Sequence, residues 1–173
     1  MFDVRIIADL HFGDPDIIKF ENRPFGSVDE MNRELIERWN CVVDQDDKVF
    51  ILGDFSVYVD DRLQDIVEQL NGKKILIKGN HDCLDDTAYF NMGFSCVYNY
   101  PIIYDNFFIL SHEPMYINES MPYANIFGHV HSNPIYKTYT KRSACVSAER
   151  IGYQPIQLSE VIAKIKHEAE NEY

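Results

Sequence analysis

No run of about 18 consecutive apolar residues occurs anywhere in the chain, so no membrane-spanning helix is expected. The first ten residues carry Asp3, Arg5 and Asp9, which leaves no apolar signal-peptide core there. Basic residues are in short supply: 16 Lys and Arg stand against 28 Asp and Glu, for a net charge of −12. A surface that wraps extended nucleic acid needs many cationic contacts to phosphate, so that class of partner is not expected. Four scattered cysteines, Cys41, Cys83, Cys96 and Cys145, form no C-x-x-C pair and predict reduced, mostly buried thiols. There is no internal repeat, low-complexity tract or Pro/Gly-rich linker. The default address is the cytoplasm. Oligomeric state leaves no signature.

What is present suits one globular domain spanning residues 1–173. The chain is 46% hydrophobic and 25% charged, and its 173 residues suffice for a substantial core. Val4 to Ala8 reads as a buried strand, followed by a long loop from Phe12 to Gly26. A helix from Val28 to Val43 is opened by a Ser27/Glu30 capping box and carries Met31, Leu35, Ile36, Trp39 and Val42 on one stripe. Lys48–Leu52 is a strand, Asp61–Leu70 a helix and Lys74–Lys78 a third strand. This alternation favours a parallel sheet with crossover helices. A hairpin is then expected around Asp105-Asn106. Strands at Asn125–Phe127, Ile135–Thr140 and Ala144–Ser147 follow, with a last helix from Glu160 to Glu170 capped by Ser159. The reading is one mixed α/β domain.

Chemistry is concentrated where apolar runs end. Asp9-Leu10-His11 follows the first strand, Gly53-Asp54 the second and Gly79-Asn80-His81-Asp82 the third. Ser111-His112 and Gly128-His129-Val130-His131 come later. In an extended segment, residues i and i+2 point to one side, so Asp9 with His11 and His129 with His131 can each aim two donors into a crevice. Mixed imidazole and carboxylate donors suit borderline metals. Glycine before Asp54, Asn80 and His129 allows a sharp turn and close backbone approach. Two divalent cations would outweigh Asp9, Asp54 and a bridging hydroxide by about one positive charge, enough to accept a phosphate ester on an acidic protein. Each pair by itself is compatible with an ordinary loop; the ordered set is not.

That ordered set, Asp-x-His, Gly-Asp, Gly-Asn-His-Asp, His and Gly-His-x-His, resembles the calcineurin-like metallophosphoesterases, and in particular a small bacterial or phage-type member without a cap domain. Asn22-Arg23-Pro24-Phe25 is similar to such members as well. The resemblance implies an α/β/β/α sandwich with two mixed sheets and two divalent metal ions, manganese first and iron, nickel or zinc also compatible. It implies Asp9, His11, Asp54 and His131 around one metal. Asp54 would bridge to a second, completed by Asn80, His112 and His129. His81 would be the catalytic acid, with Asp82 orienting it. Asn80 and Arg23 are the candidates for touching substrate phosphate. One departure is Ser111, where the family pattern has glycine.

The function so implied is hydrolysis of phosphate esters by a hydroxide held between the metals, with His81 protonating the leaving oxygen. Small, nucleotide-like phosphodiesters are the favoured substrates. A phosphomonoesterase or protein phosphatase is the first alternative, and a non-catalytic metal-binding scaffold the second.

Overall fold

The computed structural model describes residues 3–118, 120–135 and 141–170. In chain order these form β1 (Val4–Ile7), α1 (Pro15–Phe20), α2 (Val28–Val42), β2 (Lys48–Ile51), α3 (Asp61–Gln69), β3 (Lys73–Ile77), α4 (Asp86–Asn91) and β4 (Cys96–Tyr98). The chain continues with β5 (Ile102–Tyr104), β6 (Phe108–Leu110), β7 (Ala124–Phe127), β8 (Ser143–Cys145), a 3₁₀ turn (Ala148–Arg150), β9 (Ile156–Gln157) and α5 (Leu158–Glu170).

Two mixed sheets result. The first has the order β4-β3-β2-β1-β9, with β1 to β4 mutually parallel and β9 antiparallel to β1. The second has the order β5-β6-β7-β8, with its β5–β6 hairpin antiparallel and the rest parallel. Strand alternation explains how they stack. Ile7, Val49, Ile51 and Leu76 point into a core shared with Met31, Leu35 and Trp39 of α2 and Leu63 and Val67 of α3. Their neighbours Ile6, Phe50, Leu52 and Ile77 point the other way, into a second core with Phe108, Leu110 and Ile126. Leu158, Val161 and Ile165 of α5 close that second core. The expected sandwich of two mixed sheets with flanking helices is the observed fold. Among the described residues, no helix is long and apolar enough to cross a membrane.

Several expectations need correction. The loop after β1 contains a helix, α1, which the Asp14-Pro15 pair starts: Asp14 Oδ1 accepts the amides of Asp16 and Ile17, and Pro15 has no amide to lose. Likewise Asp85 caps α4, and β4 follows, between elements where no structure was expected. Helix α5 starts at Leu158, so Ser159 lies inside it and its hydroxyl bonds the Gln157 side chain. Ile135 is not in a strand, and residues 136–140 of that expected strand lie outside the described residues. All four cysteines are free, but Cys41 and Cys83 are exposed rather than buried. The capping box of α2 is modified too. Glu30 reaches back to the amide of Gly26, while Ser27 Oγ accepts that of Glu30.

Every expected donor sits just past the carboxyl end of a parallel strand: β1, β2, β3, β6 or β7. Both sheets therefore deliver their loops to one edge of the sandwich, and the site lies across them.

Candidate metal centre

The strands do not simply extend into the site. Among the described residues, nine non-glycine residues have positive φ, and five of them are Asp9 (59°), His11 (53°), Asp54 (52°), His129 (68°) and His131 (47°). Left-handed backbone is sparsely populated, and Asp and His tolerate it better than most side chains. Its concentration here means that tertiary contacts hold the donors in bent conformations. The extended i, i+2 geometry expected for Asp9/His11 and His129/His131 is thus replaced by left-handed turns that bring the same pairs together. Loop-to-loop hydrogen bonds fix those turns: Asp9 N–H to the Gly53 carbonyl at 3.0 Å and His11 N–H to that of Asp54 at 2.9 Å.

Glycine is required where the loops touch. Gly53 has φ +79°, and a Cβ there would come within 2.6 Å of the Gly79 backbone. A Cβ on Gly128 would lie 2.5 Å from that of Ala8 and 2.9 Å from Asp9 Oδ2. Ser111, the departure from the family pattern, makes its turn by another means. Its hydroxyl donates to the Glu113 carbonyl at 2.7 Å and accepts from Asn125 Nδ2 at 2.8 Å.

The donors gather into two triads, Asp9/His11/His131 and Asp54/His112/His129, each with its ligand atoms within 4.8 Å of one another. Asp54 joins them, with Oδ2 at 3.5 Å from His11 Nε2 and 3.4 Å from His112 Nε2. Asn80 Oδ1 lies 3.0 Å from His112 Nε2. Two observations fit this cluster to cations. His11 Nε2 is buried without a hydrogen-bond partner, a costly arrangement unless a ligand takes its lone pair. His112 Nε2 and His129 Nδ1 face each other at 3.0 Å, two ring nitrogens converging on one point. The donor set, four imidazoles with two carboxylates, suits divalent transition metals.

Burial opposes ionisation of both carboxylates, but their net shifts run in opposite directions. Burial raises the pKa of Asp9, and the neighbouring His131 and His112 offset this in part. Burial also opposes ionisation of Asp54, but the His11 and His112 imidazoles overcome it and hold the carboxyl well below its usual range. His112 responds in kind. Burial disfavours its charge, yet Asp54 and Asp9 push its pKa up to about 9.

His81 is exposed, its ring edge-on to that of His11 with centroids 4.9 Å apart. Its backbone amide donates to Asp54 Oδ1 at 2.9 Å. Asp82 does not orient this imidazole, contrary to expectation. Its carboxylate is buried and accepts the amides of Asp54 (2.8 Å), Phe55 (3.0 Å) and Gly79 (2.9 Å), which ties the loop after β3 to the loop after β2. Burial raises its pKa, the Gly79 amide lowers it, and the Asp54 charge raises it further.

Arg23 is also placed differently from the expectation that it reaches substrate. Its side chain is 0% exposed and donates to the Asp9 carbonyl at 2.6 Å, the Leu10 carbonyl at 2.7 Å and Glu149 Oε1 at 2.6 and 2.9 Å. It anchors the loop that carries the candidate ligands Asp9 and His11. Sequence reading passed over Glu149, whose carboxylate oxygens both lie 3.3 Å from His131 Nδ1. Burial would raise the Glu149 pKa, but His131 and Arg23 bring it below the ordinary value. Asp14 was missed as well; its Oδ2 is 3.2 Å from His11 Nδ1. Spacing three residues after a candidate ligand was a usable signal for Asp14. Nothing in the sequence connects Glu149 to His131.

Comparison with known proteins settles the family. Residues 2–158 match the calcineurin-like phosphoesterases, so nearly the whole chain, including every candidate ligand, falls within the match. The chain belongs to the calcineurin-like phosphoesterase family. An uncharacterized protein of Methanocaldococcus jannaschii is 31% identical over 96% of this chain and 93% of its own length. Among solved structures, a protein of unknown function from Aquifex aeolicus superposes with a TM-score of 0.75 at 24% identity, covering 94% of this chain and 99% of that one. A nuclease of Pseudomonas putida superposes with a TM-score of 0.52 at 22% identity, covering 74% of this chain and 61% of the nuclease. Both structural likenesses concern the fold. As a calcineurin-like phosphoesterase, the chain carries two His/Asp triads consistent with a dinuclear metal site.

Proposed function

We propose that the protein is a dinuclear-metal-dependent phosphoesterase acting on small phosphate esters, with nucleotide-like phosphodiesters favoured over monoesters. The observation that carries this reading is the pair of triads joined at Asp54, with the exposed His81 ring next to His11. Asp9, His11 and His131 would hold one divalent ion, and His112, His129 and Asn80 the other, with Asp54 between them. When bound, the ions supply Lewis acidity toward phosphate oxygens and acidify water, manganese being the first choice and iron, nickel or zinc compatible with the donors.

The chain's own residues do the rest. Asp54 fixes the His81 backbone through the amide, and among the described residues no carboxylate is hydrogen-bonded to the His81 ring. That imidazole is thus available to give a proton to the leaving oxygen. Electrostatics supports a monoanionic diester over a dianionic monoester. Behind Asp9 and Asp54 stand the carboxylates of Asp14, Asp82 and Glu149. The two arginines against the site, Arg23 and Arg150, spend their guanidinium groups on backbone carbonyls and Glu149.

The test is hydrolysis of bis-p-nitrophenyl phosphate and p-nitrophenyl phosphate by metal-stripped protein with single metals restored. Metal-dependent turnover that prefers the diester supports the reading, and a monoester preference replaces its substrate. Two bound ions without turnover would make the protein a scaffold. In the active enzyme, His81→Ala should keep both ions while kcat falls by about 10²–10⁴; unchanged turnover would remove His81 from its role.

A further inference from the structure

The two triads are supported differently. In the first, all three donors are buried, whereas His129 of the second is exposed. Both histidines of the first triad face a carboxylate with their remaining nitrogen: His11 Nδ1 with Asp14 Oδ2 at 3.2 Å, and His131 Nδ1 with Glu149 at 3.3 Å. Such a partner fixes the tautomer with Nε2 free and makes that nitrogen a stronger donor. In the second triad, His112 Nδ1 meets the neutral Leu52 carbonyl at 2.9 Å, with Asp9 Oδ1 beyond hydrogen-bonding distance at 3.8 Å. Glu149 also acts on the third donor of the first triad. It holds Arg23, which in turn grips the Asp9 and Leu10 carbonyls and so fixes the bent backbone that presents Asp9.

We infer that Glu149 and Asp14 are positioning residues that make Asp9/His11/His131 the tighter of two metal sites, so that the ions load in order and the Asp54/His112/His129 ion exchanges first. The inference rests on the dinuclear reading above. Glu149 touches neither substrate nor reacting atoms; it acts through His131 and Arg23. A divalent cation scarce in the medium would therefore fill the first site and leave the second to set how much protein is fully loaded.

The experiment is a Mn²⁺ titration of the metal-stripped full chain, with free Mn²⁺ read by its paramagnetic resonance signal. Wild-type protein should bind two ions in a tight and a weak class. Glu149→Gln should weaken the tight class by about 10- to 100-fold, the usual cost of losing such an outer carboxylate, and leave the weak class unmoved. Because that change also leaves Arg23 short of a partner, Asp14→Asn serves as a second variant. Asparagine caps a helix as well as aspartate does, so α1 is retained while the carboxylate facing His11 is lost, and again only the tight class should weaken. A purely structural role would lower thermal stability and weaken both classes together, which would overturn the inference. So would two equal sites in the wild type, or an unchanged tight class in Asp14→Asn. Absence of any Mn²⁺ binding by the wild type would instead bring down the dinuclear reading itself.

Discussion

Removing the Asp82 carboxylate separates a loop-tying role from a role in orienting His81. Its two oxygens take three amides, from Asp54, Phe55 and Gly79, at 2.8–3.0 Å. Asp82→Ala leaves these donors unpaired in a largely dry junction, at about 1–3 kcal/mol each. The losses are not additive for groups in one network, and relief of repulsion with Asp54 opposes them, so a net loss of about 3 kcal/mol is expected. Asp82→Asn should lose less, about 1 kcal/mol, because its carbonyl oxygen still serves two amides while its NH₂ faces the third. Against a total stability of about 5–15 kcal/mol, the alanine variant is severely weakened but still folds. The single tryptophan, Trp39, is fully buried and supplies the signal. Urea unfolding followed by its emission should show a lower midpoint with an unchanged m-value. An Asp82→Ala protein within about 0.5 kcal/mol of wild type, combined with a shifted pH–rate profile, would refute the argument. Asp82 would then act on the imidazole after all.

Other expectations follow from the same geometry. His112, with its pKa near 9, holds a proton at neutral pH in the metal-free protein, and at His131 burial opposes the charge but Glu149 and Asp9 raise the pKa above its ordinary value. Metal binding should release protons, and affinity should rise as pH climbs toward 9; calorimetry in buffers of different ionisation enthalpy measures the release. Gly53→Ala places a methyl against the Gly79 backbone in a left-handed conformation, and should cost more than about 3 kcal/mol along with metal binding, read by thermal melting and metal analysis. At Asp47, burial opposes ionisation, but the Asp44 and Asp3 amides and Arg5 outweigh it and lower the pKa. Its contribution to stability is present above the usual carboxylate range and is lost as pH falls through the lowered folded value. Asp47→Asn should accordingly flatten the acid limb of a stability–pH profile.

The candidate donors were legible before any fold was known, because metal chemistry restricts residue type and each donor had to follow a strand at a short interval. Asp9-x-His11 and His129-x-His131 announce themselves for that reason, as do the glycines that bring Gly53 and Gly79 into backbone contact. Core helices such as α2 were legible through periodicity and capping. Short elements were not: α1 and α4 span six residues each, too few for a periodic signal, and only their Asp caps mark them.

The sequence by itself determined the candidate donor set, the strand–helix alternation of the first sheet and the chemistry that two metals would bring. Tertiary structure alone decided what stands behind those donors. Arg23 moved from substrate to loop anchor, Asp82 from His81 to three backbone amides, and Glu149 from obscurity to the side of His131. The contacts that decide these roles join Arg23 to Glu149 across 126 positions, Asp82 to Phe55 across 27 and Glu149 to His131 across 18. Local pattern constrains which atoms can bind a metal, but burial and distance between remote segments decide which charges find each other.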